Sequence, residues 1–170
     1  MGSSPRKADL VLKVLIVSDT HRKNDNYFKL LGMHTPDLII HCGDIEGSEY
    51  ALEQAASCPV KMVTGNNDFF SELPRELELE VDKYKVWVTH GNTYYASVTD
   101  EYLLEEALAR KVDVVCYGHT HKPSVTKTKG VWLVNPGSLS YPRQDGRKPS
   151  YCIMETDRFG DLHFTIAYLD

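Results

Sequence analysis

Seven side chains in this chain could hold divalent cations: Asp19, His21, Asp44, Asn66, His90, His119 and His121. They fall in five short clusters, each just beyond an apolar run. The clusters are Asp19-Thr20-His21, Gly43-Asp44, Gly65-Asn66-Asn67-Asp68, His90-Gly91 and Gly118-His119-Thr120-His121. Carboxylate and amide oxygens combined with imidazole nitrogens suit Mn, Fe, Ni and Zn, and no cysteine sits among them. Asp19 and His21 are two residues apart at a strand end, so both can lean the same way, and His119 and His121 repeat the spacing. If Asp44 serves two ions, each ion receives four protein ligands and keeps room for water. That is a two-metal hydrolytic arrangement, with ions about 3.5–4 Å apart. Two cations sharing a water lower its pKa and make hydroxide available near neutral pH. Taken singly, DxH, GD and a lone histidine are weak signals and GHTH a moderate one. Five of them in this order, all at strand ends, are a strong one.

The elements that must position these residues follow from the apolar runs. Val14–Val17, Leu38–His41, Val60–Val63, Val86–Val88 and Val112–Cys116 read as strands, the first two as buried central ones. Carboxyl ends of strands in an α/β sheet converge on one crevice. The glycines in the clusters mark sharp backbone turns beside a ligand. Helices are expected over Asn24–Leu31, from a Ser48 cap through Ser57, and from a Thr99 cap through Leu108. Leu77, Leu79 and Val81 alternate with Glu76, Glu78 and Glu80, which predicts a strand with a solvated acidic face. The remainder reads as antiparallel strands at Ser124–Thr128, Val131–Val134, Ser150–Glu155 and Leu162–Tyr168, with a hairpin turn at Lys129-Gly130.

Composition narrows the partners. The chain has 170 residues, 19 Lys and Arg, 24 Asp and Glu, and a formal net charge of −5. An acidic chain without a basic stripe does not favour a nucleic-acid polymer or a membrane surface as partner. No apolar run approaches the roughly 20 residues that span a bilayer. Cys42, Cys58, Cys116 and Cys152 form no CxxC pair, and Cys42 and Cys116 read as reduced, buried thiols. No signal-peptide-like segment follows the start, which points to the cytoplasm. Residues 1–12 read as a flexible tail or a cloning remnant, and residues 13–170 as one domain. Exposed strand edges and the acidic hairpin leave a homo-oligomer open.

In order along the chain, DTH, GD, GNxD, HG and GHTH make the sequence resemble the calcineurin-like metallophosphoesterase superfamily. Asn135-Pro136-Gly137-Ser138 and Pro142-Arg143 add a resemblance to its small phosphodiesterase branch, the YfcE type. The resemblance spans Lys13 to Asp170. It implies a four-layer α-β-β-α sandwich of two mixed sheets flanked by helices. It also implies that one ion takes Asp19, His21, Asp44 and His121, and the other Asp44, Asn66, His90 and His119. Many superfamily members carry a histidine after the motif asparagine, able to protonate a leaving group. Asn67 stands there instead, and an amide can hydrogen-bond phosphate but cannot act as an acid.

The expected function is a phosphodiesterase that uses two divalent ions, Mn first with Ni, Fe or Zn as alternatives, on a small phosphodiester. Asp44, Asn66 and His90 are its expected catalytic set, with Asn67 and Arg143 as substrate contacts. Arg143 is favoured because its fork matches anionic oxygens. The competing readings are a phosphomonoesterase and a scaffold on the same fold, like the retromer subunit that resembles this family. A scaffold is free to lose ligands, and this chain keeps all seven donors. Bland roles are expected elsewhere. His41 reads as a satisfied core or supporting histidine, His34 and His163 as surface or packing residues, and Asp68 as a turn or ligand-orienting residue. Asn135 and Ser138 suit a tight turn or a substrate contact equally. Tyr94 and Tyr95 could stack a nucleobase, with packing as the plainer alternative.

Overall fold

Val14, Leu15, Ile16 and Val17 are all fully buried, because both faces of their strand are covered. Val14 and Ile16 pack into a core between two sheets, while Leu15 and Val17 pack beneath helices. The computed structural model describes residues 10–170. These four residues lie in β1 (Leu10–Val17), which starts ahead of the expected Lys13. The expectation of a tail over residues 1–9 falls outside the described residues.

After β1 come α1 (Asp25–Met33), β2 (Leu38–His41), α2 (Glu49–Ala55) and β3 (Val60–Met62). Next are β4 (Glu76–Val81), β5 (Tyr84–Thr89), α3 (Glu101–Arg110) and β6 (Val114–Cys116). The chain ends with β7 (Pro123–Thr128), β8 (Val131–Pro136), β9 (Ser150–Asp157) and β10 (Leu162–Tyr168). Two five-stranded sheets result, ordered β10-β9-β1-β2-β3 and β4-β5-β6-β8-β7. Both are mixed. β1–β2, β2–β3, β5–β6 and β6–β8 are parallel, and the other pairs are antiparallel. The expected all-antiparallel C-terminal part is therefore corrected at β8, whose Trp132 pairs in parallel with Val114 of β6. Its hairpin with β7 is as expected, and Lys129 and Gly130 both have positive φ (50° and 81°), as a tight two-residue turn requires.

The sheets face each other across Val14, Ile16, Ile40 and Cys42 on one side and Val86, Val88, Val114 and Cys116 on the other. Each fully buried Val or Ile contributes about 1.5–3 kcal/mol relative to exposure. On the outer face of the first sheet, Tyr27 and Leu30 of α1 and Leu52 of α2 cover Leu15, Val17 and Ile39. The Tyr27 hydroxyl donates to the Leu52 carbonyl (2.9 Å) and ties the two helices. On the second sheet, Leu103 and Ala107 of α3 cover Trp87, Val115 and Leu133. The expected four layers are what these contacts build.

Two local expectations change. Asp100 takes the cap position of α3 without a side-chain cap bond, while the Thr99 hydroxyl one residue earlier accepts the Glu101 N–H (3.2 Å). The acidic face of β4 is not simply solvated. Arg110 donates to Glu76 (2.7 Å), Glu78 (3.3 Å) and Glu106 (2.9 Å), and its guanidinium lies 4.5 Å from the Trp87 ring. All four cysteines are free, and Cys42, Cys116 and Cys152 are buried.

Candidate metal centre

Five of the seven candidate donors sit on left-handed backbone: Asp19, His21, Asp44, His119 and His121, with φ between 47° and 71°. Outside glycine such a conformation costs on the order of 1–3 kcal/mol and persists only where its surroundings hold it. Hydrogen bonds between neighbouring strand ends do so. Asp19 N–H donates to the Gly43 carbonyl (3.0 Å), His21 N–H to the Asp44 carbonyl (2.9 Å), and His119 N–H to Asp19 Oδ2 (3.0 Å). The last bond joins the two sheets. A Cβ at Gly65 would collide with the Asp44 carboxylate, and one at Gly118 with the Ser18 hydroxyl. Both glycines are thus needed for close approach of the loops.

The carboxylates and imidazoles converge. Asp19 Oδ1 lies 3.2 Å from His121 Nε2, 3.6 Å from His21 Nε2 and 3.7 Å from His90 Nε2. Asp44 Oδ2 lies between His21 Nε2 (3.6 Å) and His90 Nε2 (3.3 Å), one imidazole from each expected ligand set. Asp19, His21 and His121 form one group compact enough for a cation, and Asp19, Asp44 and His90 another. Asn66 and His119 stand on the rim of this cluster, with His119 Nδ1 and Asn66 Oδ1 3.1 Å apart. The His119 ring meets His90 edge-on, with centroids 5.2 Å apart.

Partners outside the cluster aim the donors inward. His90 Nδ1 faces the Cys42 carbonyl (2.8 Å) and His121 Nδ1 the Tyr141 carbonyl (2.7 Å). Donation from Nδ1–H turns each Nε2 lone pair toward the centre, the arrangement common to metal-ligating histidines. Ser18 Oγ donates to Asp19 Oδ2 (2.7 Å), and the Ser138 hydroxyl donates to the Asp19 carbonyl (2.8 Å). Against this saturation, Asp19 Oδ1 and His90 Nε2 are buried without any hydrogen-bond partner. Both face the same space, and a cation there would satisfy them. The oxygen and nitrogen donor set and these orphaned atoms fit divalent metal.

The charges agree. Burial alone would raise the Asp19 carboxyl, but His121, His21 and the charge of His90 outweigh it and hold it far below the usual range. Asp44 is likewise lowered, with burial opposed by His90 and Asn67. Burial would lower His90, yet Asp44 and Asp19 push it up to about 9. His41 is lowered to about 4 by burial and is neutral. It accepts the Gly43 N–H (3.1 Å) and pairs with the Thr20 hydroxyl (3.0 Å), the satisfied supporting role expected of it.

Other residues take roles that spacing did not specify. Asp68 accepts four backbone N–H groups, from Asp44, Gly65, Ile45 and Glu46, at 2.6–2.8 Å. It locks the Gly43-Asp44 turn to the Gly65-Asn66 turn, the turn-holding, ligand-orienting role expected of it. Asn67 donates through its backbone (2.9 Å) and its amide (3.0 Å) to the two Asp44 oxygens. A contact from that amide to substrate requires the second bond to open. Asn135 accepts the Gly137 N–H (2.9 Å), a tight-turn role, and donates to the Gly118 carbonyl (3.1 Å) and the Thr120 hydroxyl (2.9 Å). Tyr94 packs on Trp87 and donates to Glu76 (2.7 Å), while Tyr95 lies against Tyr102. Arg143 is exposed, and its backbone N–H donates to the His121 carbonyl (3.0 Å). Its side chain lines a cleft with His21, Glu46, His121, Tyr141 and Arg147.

Residues 12–158 match the calcineurin-like phosphoesterase superfamily domain. A probable metallophosphoesterase of Mycoplasma genitalium is 33% identical over 93% of this chain and 96% of its own length. A phosphodiesterase of Methanocaldococcus jannaschii is 29% identical over 74% of this chain and 83% of its own. Among solved structures, Vps29 of Entamoeba histolytica superposes with a TM-score of 0.76 over 94% of this chain and all of that one, at 20% identity, which is a likeness of fold.

Proposed function

The chain belongs to the calcineurin-like phosphoesterase superfamily, and from that premise we propose that it is a phosphodiesterase with a two-metal centre. The observation that carries the reading is the pair of orphaned buried atoms, Asp19 Oδ1 and His90 Nε2, facing one space ringed by carboxylates and imidazoles. Asp19, His21, Asp44 and His121 would hold one ion, and Asp44, Asn66, His90 and His119 the other. When bound, two such ions lower the pKa of a water between them and offset negative charge on phosphoryl oxygens. Manganese is the first candidate.

The chain's own groups supply positioning. Asp68 and Asn67 fix Asp44 between the two halves. The Arg143 side chain shares a cleft with His21 and His121 and can take a phosphoryl oxygen of the substrate. No imidazole stands at position 67, so the leaving group must depart with little protonation from that side. This favours diesters of acidic alcohols, and a relative bears the name phosphodiesterase. A scaffold role draws on the Vps29-like fold, but retention of all seven donors favours catalysis. Among the described residues no helix is long and apolar enough to cross a membrane. We read the partner as a small phosphodiester and the location as cytoplasmic.

The test is hydrolysis of bis-p-nitrophenyl phosphate beside p-nitrophenyl phosphate, with Mn²⁺ and after chelation. Chelator-sensitive cleavage that favours the diester is expected. Preference for the monoester would change the reaction class. A chain that binds metal and cleaves neither ester would point to the scaffold.

A further inference from the structure

Two clefts flank the candidate centre, and their chemistry differs. The cleft on the His21 and His121 side, about 540 Å³, carries Arg143 and Arg147 and suits phosphoryl oxygens. The cleft on the Asn66 side is larger, about 730 Å³, and is lined among others by Asn66, Phe69, Arg75, Thr89, Asn92 and Thr93. Its two carboxylates are already engaged. Asp68 accepts four backbone N–H groups, and Glu76 takes Arg110 and the Tyr94 hydroxyl. What remains facing the space is a ring, a guanidinium, an amide and hydroxyls.

The ring is unusual in its setting. Phe69 is 75% exposed, and Phe70 beside it is fully exposed on left-handed backbone (φ 60°), which a bulky side chain rarely adopts. Only the first of these two rings lines the cleft. Arg75 makes no ion pair among the described residues although glutamates surround it in sequence. A flat ring and a flat guanidinium both offer faces on which a planar group can stack. Asn92 can both donate and accept at the edge of such a group, and Thr93 can bond a sugar hydroxyl. An acyl chain would call for a continuous apolar wall, which one phenylalanine among polar side chains does not supply. A polynucleotide would call for a basic track, which a chain of net charge −5 lacks.

We propose that the cleft beside Asn66 receives a nucleobase, so that the substrate is a small nucleotide phosphodiester whose base stacks on Phe69 and Arg75. This rests on the phosphodiesterase reading for the position of the phosphoryl group at the neighbouring centre.

The experiment compares three diesters with one leaving group: the p-nitrophenyl esters of thymidine 5′-monophosphate, methyl phosphate and benzyl phosphate. The expected kcat/KM favours the nucleotidyl ester over the methyl ester by about tenfold or more, the range that base stacking on an aromatic ring gives. Phe69→Ala and Arg75→Ala should pull that ratio toward one, chiefly through KM. Phe69→Tyr should preserve it, as should Phe70→Ala, whose ring lies outside the cleft. A wild-type ratio near one, or an unchanged ratio in Phe69→Ala, overturns the subsite. Equal preference for the benzyl ester overturns the nucleotide assignment in favour of a plain aryl arm. If no ester is cleaved with Mn²⁺, the phosphodiesterase reading fails by itself, and calorimetry decides the subsite. Thymidine 5′-monophosphate binding more tightly than ribose 5-phosphate, with the difference lost in Phe69→Ala, then supports it. Equal binding of the two, or binding of neither, overturns it.

Discussion

Asp19 and His121 are buried and closely tied, with His21 half-buried beside them, whereas Asn66 is exposed and His119 half-buried. Asp19 is wholly buried, its Oδ2 held by Ser18 and the His119 N–H and its carbonyl by Ser138. His121 is fixed through its Nδ1 by the Tyr141 carbonyl. On the other side His90 is equally fixed, by the Cys42 carbonyl, but Asn66 and His119 have chiefly each other at 3.1 Å. One half is therefore held by more hydrogen bonds than the other. On the proposed two-metal reading, the ions should bind with unequal affinity, the Asp19 half more tightly.

The largest effect should come from Asp44, the residue common to the two proposed ligand sets. Asp44→Asn is expected to lower metal content from about two per chain to below one and to cut diester turnover more than about 100-fold. Metal analysis after gel filtration and initial rates would check both, and full activity would remove Asp44 from its bridging role. Next, His121→Ala and His119→Ala should separate the halves. The first should lose the tight ion, and the second only the weak one, each with activity down about 10–100-fold. Identical isotherms for the two variants would erase the distinction. A smaller effect is expected from Asp68→Asn, which puts an NH₂ where backbone donors now find an oxygen. Affinity at the Asn66 half should drop about tenfold while the tight site changes less. Smallest of all, Arg110→Ala touches neither half. It should lower stability by about 1 kcal/mol, a Tm drop of about 2–4 °C, and leave metal binding alone.

The same contrast explains what could be read from the sequence. Apolar runs ending in Asp, Asn, His and Gly announced both the strands and the centre, because buried strands need continuous Val and Ile while their ends need polar, turn-forming residues. Convergence of five such ends follows from parallel pairing within each sheet. Contacts between residues distant in sequence were not legible. Arg110 reaches over β4 from α3, 34 residues after Glu76, so the acidic face looked solvated. Asp68 reads as a turn residue, and only the folded backbone brings four N–H groups to its carboxylate. Of the two readings open for Tyr94, packing holds, since Trp87 and Glu76 draw it under the loop. Phe69 carried no periodic signal because it lies in a loop. The parallel register of β8 was hidden for a similar reason, since a strand's residues do not record the direction of its neighbour.

The measurement that bears most directly on the centre is anomalous diffraction from crystals grown with Mn²⁺. Two peaks are expected, one among Asp19, His21, Asp44 and His121 and one among Asp44, Asn66, His90 and His119, with the second weaker at limiting metal. A single peak at saturating Mn²⁺, or peaks away from these side chains, would contradict a two-metal centre.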